Sequence, residues 1–433
     1  MPDPTLPQLP GSAAEAPSFL KMLFEHAVEL ASPQSALAAH LPEPPKGRTL
    51  VVAIGKAAAS MARVLEDNWP SAAPLSGIAL TRYEHGLPCK SIEVIEASHP
   101  VPDDRGYQTT GRIMEEVEAL TADDLLVFLV SGGGSALMAM PATGISLDEK
   151  KRINQALLMS GAPIGEMNIV RKHLSAVKGG RLALQAAPAR VVTLAISDVP
   201  GDDPSTIASG PTVADSSTRM DAKNIIAKYG IEISGEVLGY LNSDLSETPK
   251  SDHAAFDNCR FDIITRPSGV LDGVVSSLEG HGLSVTTLGA ELEGEAREVA
   301  IDHAKMALAG SNKADFILSG GETTVTVPAG MQIGKGGRNC EYLLALAIAL
   351  DGADGIYAIA ADTDGIDGSE TNAGAIITPD TLARGTALGM DAREFLNRHD
   401  AFTYFEALGD LVTTGPTRTN VNDFRAVWVR RTD

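Results

Sequence analysis

Residues 49–68 read TLVVAIGKAAASMARVLEDN, and this stretch sets the architecture. Thr49–Ile54 is an unbroken apolar, β-branched run of strand length, which suits a strand covered on both faces. Gly55 ends it, and an Ala-rich stretch of helical composition follows through Asn68. The same beat returns at 125–137, LLVFLVSGGGSAL, where Leu125–Val130 reads as a second buried strand running into three glycines. Gly77–Leu80, Ile92–Ala97 and Val191–Ile196 read as further strands. Asp104–Leu120 and Ser146–Met159 read as helices, the second opened by a Ser-x-x-Glu capping box (Ser146, Glu149). Strands alternating with helices imply parallel pairing through right-handed crossovers, hence a doubly wound α/β sheet.

On the N-terminal side, residues 17–40 carry apolar positions at helical spacing, closed off by Pro42, Pro44 and Pro45. The Pro-rich first ten residues are expected to form a disordered tail. On the C-terminal side the pattern weakens between Asp215 and Asn258, with Ser, Asp, Pro and Lys clustered at 243–252. It resumes with strands at Phe261–Thr265, Leu283–Leu288, Asp315–Leu318, Thr323–Val327, Ile356–Ala361 and Ala426–Val429. Helices are expected near 269–279, 294–309 and 339–350. The expected division is therefore two α/β lobes, 1–250 and 260–433, the second with a mixed sheet.

Composition narrows the function. The chain has 433 residues and a formal net charge of -21, with 44% apolar residues and 4% aromatics. An acidic surface repels a phosphate backbone, so a duplex-binding role is disfavoured. Phosphorylated small molecules remain open, because a few local cations reverse the field within one cleft. Three scattered cysteines without a CxxC pair exclude a disulfide framework and a thiolate zinc site. They fit a reducing compartment, and no apolar run approaches the ~20 residues of a membrane span. The expected location is the cytoplasm.

In open α/β sheets, ligands sit beyond the carboxyl ends of strands. Lys56 follows one such end at a glycine turn, a place to hold an anion, although surface lysines also occur there. Ser131-Gly132-Gly133-Gly134-Ser135 follows another, and its glycines let backbone N–H groups converge on a phosphate. It is not a Walker A sequence, and Leu137 occupies the last glycine position of GxGxxG. Asp198, Asp202 and Asp203 lie in a Pro/Gly loop that suits Mg²⁺ or is simply turn chemistry. Gly334-Lys335-Gly336-Gly337-Arg338 delivers an arginine at a helix start, suited to a bidentate anion contact. Asp362-Thr363-Asp364-Gly365-Ile366-Asp367-Gly368 fails as an EF-hand because Ile366 replaces a ligand, but an acidic loop at a strand end still suits a metal or a substrate hydroxyl, or is simply a solvated turn. His99 reads as a turn residue. His173, with Arg171, Lys172 and Lys178, lies on a basic segment that is either a solvated face or a polyphosphate contact.

These segments resemble the class II glycerate 2-kinases, the family whose C-terminal part is the MOFRL domain. The matching stretches are AIGKAA (53–58), SHPVPD (98–103), VSGGGSAL (130–137), NIVRKHLSAVKGGRLA (168–183), SDVPGDDPSTIASGPT (197–212), SGGETTVTV (319–327), GKGGRN (334–339), DTDGIDG (362–368) and GPTRTNVND (415–423). They run in order over nearly the whole chain. The resemblance implies a Rossmann-like first lobe, a smaller MOFRL-type second lobe and an active site in the cleft between them. It implies ATP-dependent phosphorylation of D-glycerate at its 2-hydroxyl, with Mg²⁺ or another divalent metal. Lys56 and Arg338 match the family's essential basic residues; Glu322, Asp364 and Asn420 match its other polar positions.

On this resemblance the expected roles are catalytic for Lys56, Arg338 and Asp364, and substrate binding for Glu322, Asn420 and Arg338. Ser131, Gly132, Gly133, Gly134, Ser135 and Lys178 are expected to hold the nucleotide, and Asp198 the metal. Partners are then ATP and D-glycerate, with no nucleic acid and no membrane; a homodimer is a candidate assembly. Family members have also been labelled hydroxypyruvate reductases. No GxGxxG follows a strand with an acidic residue ~20 positions on, as a nicotinamide dinucleotide would need.

Overall fold

The computed structural model describes residues 9–10, 12–309, 314–328, 330–331 and 333–430. Most of the expected N-terminal tail, residues 1–8, lies outside the described residues. The chain forms two compact units, one of residues 36–264 and one joining residues 1–35 to 265–433.

The 36–264 unit is built on six strands: β1 (Thr49–Ile54), β2 (Leu75–Arg82), β3 (Ile92–Ala97), β4 (Leu125–Val130), β5 (Arg190–Ile196) and β6 (Cys259–Thr265). Their order is β3-β2-β1-β4-β5-β6, and β1 to β5 pair in parallel. Every residue of β1 and β4 is buried, as their unbroken apolar sequences require of central strands. The strand order reverses between β1 and β4, so the turns after these two strands flank the topological switch point. Around Leu50, Val52, Ile54, Leu126 and Phe128 the sheet builds one continuous apolar core.

In the second unit β7 (Val285–Thr287), β9 (Phe316–Ser319), β11 (Ile356–Asp362), β12 (Gly374–Ile377), β13 (Leu411–Val412) and β14 (Asp423–Val429) form a sheet ordered β13-β12-β11-β14-β9-β7. Only β7 and β9 pair in parallel; the others are antiparallel, giving the expected mixed sheet. A separate two-stranded ribbon pairs β8 (Gly294–Glu295) with β10 (Thr323–Thr324).

This division differs from 1–250 and 260–433 at both boundaries. The helix Ala16–Ala31 belongs with the C-terminal segment because its apolar face is covered there. Phe19 packs at 5.4 Å from the Trp428 ring, His26 Nε2 lies 2.9 Å from Ser277 Oγ, and Thr419 Oγ1 donates to the Ala31 carbonyl at 2.7 Å. The strand at 259–265, expected to open the second lobe, instead closes the edge of the first sheet beside β5. The weakly patterned region contains two helices, Arg219–Lys228 and Gly235–Asn242. Ala222, Ile225, Val237 and Leu241 help close a satellite core there. The expected capping box at Ser146 is half made: Ser146 accepts from the Glu149 N–H, but the Glu149 carboxylate turns to Arg152 and the Ser234 N–H.

Candidate active site

The turns after β1 and β4 are built against each other. Gly55 adopts φ +114°, and a Cβ there would lie 2.3 Å from Ser131 Oγ, so only glycine lets the two turns approach. The Lys56 N–H donates to the Gly132 carbonyl at 2.8 Å, and the Ala57 N–H to Ser131 Oγ at 3.0 Å. Gly133, at φ +82°, brings the backbone against the His99 imidazole and the Lys56 stem. Lys56, His99 and the glycine turn therefore share one place at the switch point.

This geometry sorts the serines. Ser131 is buried, and its hydroxyl accepts from the Ala57 N–H and faces the Ile54 carbonyl, which ties it to the β1 turn. The Ser135 hydroxyl and carbonyl both accept from the Lys178 ammonium, at 2.7 and 2.6 Å. Gly132, Gly133 and Gly134 form the turn itself. Asp198 is half-buried just beyond β5, next in the sheet after β4. Asp203 in the following loop is occupied by Ser205 and Thr206.

The basic segment 171–178 is neither a solvated face nor uniform. Lys172 makes a buried ion pair with Asp215 at 3.2 Å, a structural contact. His173 is fully buried and held by the Ile169 carbonyl at 2.9 Å. Lys178 is buried too, and no acidic residue faces it among the described residues that line the adjoining cavity.

In the second unit, Arg338 is the hub. It opens the helix Arg338–Leu350, and its Nε donates to both Asp423 oxygens at 2.9 Å, Nη1 to Glu322 at 2.6 Å and Nη2 to Asp362 at 2.8 Å. Burial pulls its pKa down, but the Asp423, Asp362 and Glu322 carboxylates outweigh that and raise it above the usual value. The fork expected for a substrate anion thus already rests on three protein carboxylates. Each Nη still carries a second N–H for substrate oxygens.

Antiparallel pairing explains how distant motifs meet. Asp362, last in β11, stands opposite Asp423, first in β14. Asp364 and Asn420, both buried, lie just past these strand ends. Asp362 Oδ1 accepts from the Asp364 N–H at 2.9 Å, and Asn420 Oδ1 from the Asn422 N–H at 3.3 Å. Asp367 caps the Arg338 helix, accepting from the N–H groups of Asn339 and Cys340 at 2.9 Å each. That capping fixes where Arg338 begins its side chain.

Three residues here carry no expected role, Asp423, Asn339 and Arg425, and Asp362 reads in the sequence only as part of an acidic loop, not as a partner of Arg338. Arg425 is fully buried, donates to Asp423 at 2.5 Å and to the Gly320 carbonyl at 2.9 Å, and so braces the carboxylate that holds Arg338. Asp362 and Asp423 sit inside quoted motifs, but nothing local distinguishes them from turn aspartates. The structure gathers Lys56, Ser131–Ser135, Lys178 and Asp198 in one unit, and Glu322, Arg338, Asp364 and Asn420 in the other. Among the described residues, no group of three or more His, Cys, Asp or Glu is arranged to hold a metal ion, and no helix is long and apolar enough to cross a membrane.

Two family models match: a domain of unknown function (DUF4147) over residues 19–242 and the MOFRL family over 315–423. A D-glycerate 2-kinase of Thermotoga maritima is 39% identical over 93% of this chain and 95% of its own length. A protein of Agrobacterium vitis, provisionally named hydroxypyruvate reductase, is 50% identical over 95% of this chain and 94% of its own. The crystal structure of a glycerate kinase from Thermotoga maritima superposes with a TM-score of 0.86 at 37% identity, covering 96% of this chain and all of that one. With matches of this extent to both its sequence and its fold, the chain belongs to the glycerate 2-kinase family and carries that family's MOFRL domain.

Proposed function

We propose that this protein phosphorylates D-glycerate at its 2-hydroxyl with ATP, releasing 2-phosphoglycerate and ADP. The observation that carries the reading is the Arg338 centre: a guanidinium held rigidly by Asp423, Asp362 and Glu322, with spare N–H groups, and buried Asp364 tied to it through its own N–H on Asp362. Such a centre serves an anionic hydroxy acid whose hydroxyl must be oriented.

The 2-hydroxyl oxygen forms a bond to the γ-phosphorus as the bond from that phosphorus to the β,γ-bridging oxygen breaks, and ADP leaves with the electron pair. Asp364 orients the hydroxyl and takes its proton. Arg338 binds the glycerate carboxylate through its remaining N–H groups, while Glu322 and Asn420 accept and donate hydrogen bonds to the substrate. Lys56, beside the glycine turn, neutralises charge growing on the transferring phosphoryl oxygens. Mg²⁺ takes few protein carboxylates and fills its remaining positions with phosphate oxygens and water, so a single half-buried Asp198 fits it. When bound, the ion would offset charge on the phosphates.

The name carried by the Agrobacterium relative favours a reductase as the second reading. The end of β2, where a dinucleotide fold places the acidic residue for the ribose, carries Thr81 and Arg82 instead. ³¹P NMR of the protein with ATP, Mg²⁺ and D-glycerate tests both readings. A 2-phosphoglycerate resonance is expected. NADH consumption on hydroxypyruvate without phosphate transfer would overturn the kinase reading, and 3-phosphoglycerate would overturn the assigned regiochemistry.

A further inference from the structure

Arg425 is a fully buried guanidinium to which the phosphoryl-transfer scheme gives no part. It lies two residues after Asp423 on β14, so both side chains stand on one face of that strand. Its Nη2 donates to Asp423 Oδ2 at 2.5 Å and to Thr323 Oγ1 at 3.3 Å, and its Nη1 donates to the Gly320 carbonyl at 2.9 Å. Gly320 and Thr323 flank Glu322, so one guanidinium grips the turn that carries Glu322 from both sides. The guanidinium carbon also lies 5.6 Å over the Tyr342 ring, one helical turn along from Arg338 on the same helix.

Two anchors of Arg338 therefore depend on Arg425. Arg338 Nε sits between the two Asp423 oxygens at 2.9 Å from each. Each oxygen has a second donor, Asn339 Nδ2 on Oδ1 at 2.8 Å and Arg425 Nη2 on Oδ2. With Arg425 removed, Oδ2 loses its second donor and the carboxylate is able to pivot, which turns the Arg338 plane with it. Glu322 is the other anchor, and its side chain is more than half exposed. An exposed carboxylate holds a partner weakly unless the backbone beneath it is fixed. Charge adds a second reason. Arg338 alone faces three carboxylates, an excess that opposes an anionic substrate, and Arg425 brings a second positive charge to the same cluster.

We infer that Arg425 is a positioning residue for the hydroxy-acid site: it fixes Asp423 and the turn bearing Glu322 together, and so sets the direction in which Arg338 presents its remaining N–H groups. Buried behind the carboxylates, it acts on the substrate only through Arg338. That the anion held by Arg338 is glycerate rests on the kinase reading; the placement of Arg338 by Arg425 does not.

Arginine side-chain NMR and steady-state kinetics of the full-length protein test this. The Arg338 Nε–H signal, assigned by its loss in Arg338→Lys, should be protected from solvent exchange in the wild type. In Arg425→Met that protection should fall by about tenfold or more. KM for glycerate should rise by a similar factor while KM for ATP stays put, as for the loss of one charge-assisted contact. Arg425→Lys keeps the charge but cannot reach Asp423 and Gly320 together, so it should recover only part of the loss. Thr323→Val removes a single acceptor of Arg425 and should shift the same signal and raise KM for glycerate about threefold. That variant decides the matter if thermal melts show Arg425→Met unfolded. Arg112→Met, which breaks a surface pair with Glu93, should change none of these readouts. A purely structural role would lower the melting temperature and leave the Arg338 signal and both KM values unmoved, and that result in folded variants overturns the inference. An altered Arg338 signal in a protein that never phosphorylates glycerate would uphold the placement and overturn only the kinase reading.

Discussion

The backbone N–H of Lys56 donates to the carbonyl of Gly132 at 2.8 Å. That bond ties the turn after β1 to the turn after β4. A lysine that must meet a transferring phosphoryl group gains from such a mount, because position rather than covalent chemistry governs phosphoryl transfer.

Lys56→Ala should therefore lower kcat a hundredfold or more, about 2.7 kcal/mol of transition-state stabilisation. The side chain is half-buried at a turn held by backbone bonds, so circular dichroism and the melting temperature should hardly change. Turnover near wild type in a steady-state assay would remove Lys56 from the mechanism.

Arg338→Lys keeps one positive charge but cannot span Asp423, Asp362 and Glu322 at once. KM for glycerate should rise by about tenfold or more, with kcat falling as well. A KM that rises for ATP alone would reassign the guanidinium to the nucleotide.

Phe19→Ala should destabilise the unit that contains the MOFRL segment by about 3–5 kcal/mol, because a fully buried ring against Phe316 and Trp428 is lost. A fragment of residues 265–433 should likewise be unstable until residues 12–35 are supplied, as chemical denaturation would reveal. Equal stability with and without that helix would contradict its place in the unit.

His303 is buried, its Nδ1 lies 2.7 Å from the Tyr342 hydroxyl, and Nε2 has no hydrogen-bond partner among the described residues. Burial, then the Arg425 charge, lowers its pKa from 6.5 to about 4, with Asp302 opposing. Between those values the unfolded chain binds the extra proton, so stability is lost as pH falls from 6.5 towards 4. The contribution amounts to about 3 kcal/mol. His303→Gln should flatten that part of the denaturation profile; an unchanged slope would assign acid lability elsewhere.

Lys150 follows the same logic at higher pH. Its folded value near 7 lies below 10.5, so the unfolded chain binds more protons between the two and stability falls as pH drops through that window. Arg171 faces it within the cavity and strengthens the effect. Lys150→Met should raise stability at pH 7 by up to about 5 kcal/mol. A denaturation series from pH 7 to 10 that shows no gain would mean the ammonium is better solvated than its burial implies.

Legible in the chain itself were the two buried strands, the glycine turns behind them, Lys56 just past a strand end and Arg338 at a helix start. Each of these is written locally, as an apolar run, a glycine where the backbone needs positive φ, or a cation at an element boundary. Tertiary structure alone decided what those pieces meet. Residues 17–40 announce helical spacing, but only Phe316, Trp428 and Ser277 decide that the helix Ala16–Ala31 belongs to the C-terminal unit. The run at 261–265 reads as a strand opening the second lobe, and sheet-edge pairing beside β5 places it in the first sheet instead. Asp362 and Asp423 look like turn residues until the β11–β14 register sets them face to face around Arg338. Lys172 and Lys178 lie in one basic segment, yet one is neutralised by Asp215 and the other opens on a cavity. Partner identity depends on packing between residues far apart in the chain, and local composition carries no record of it.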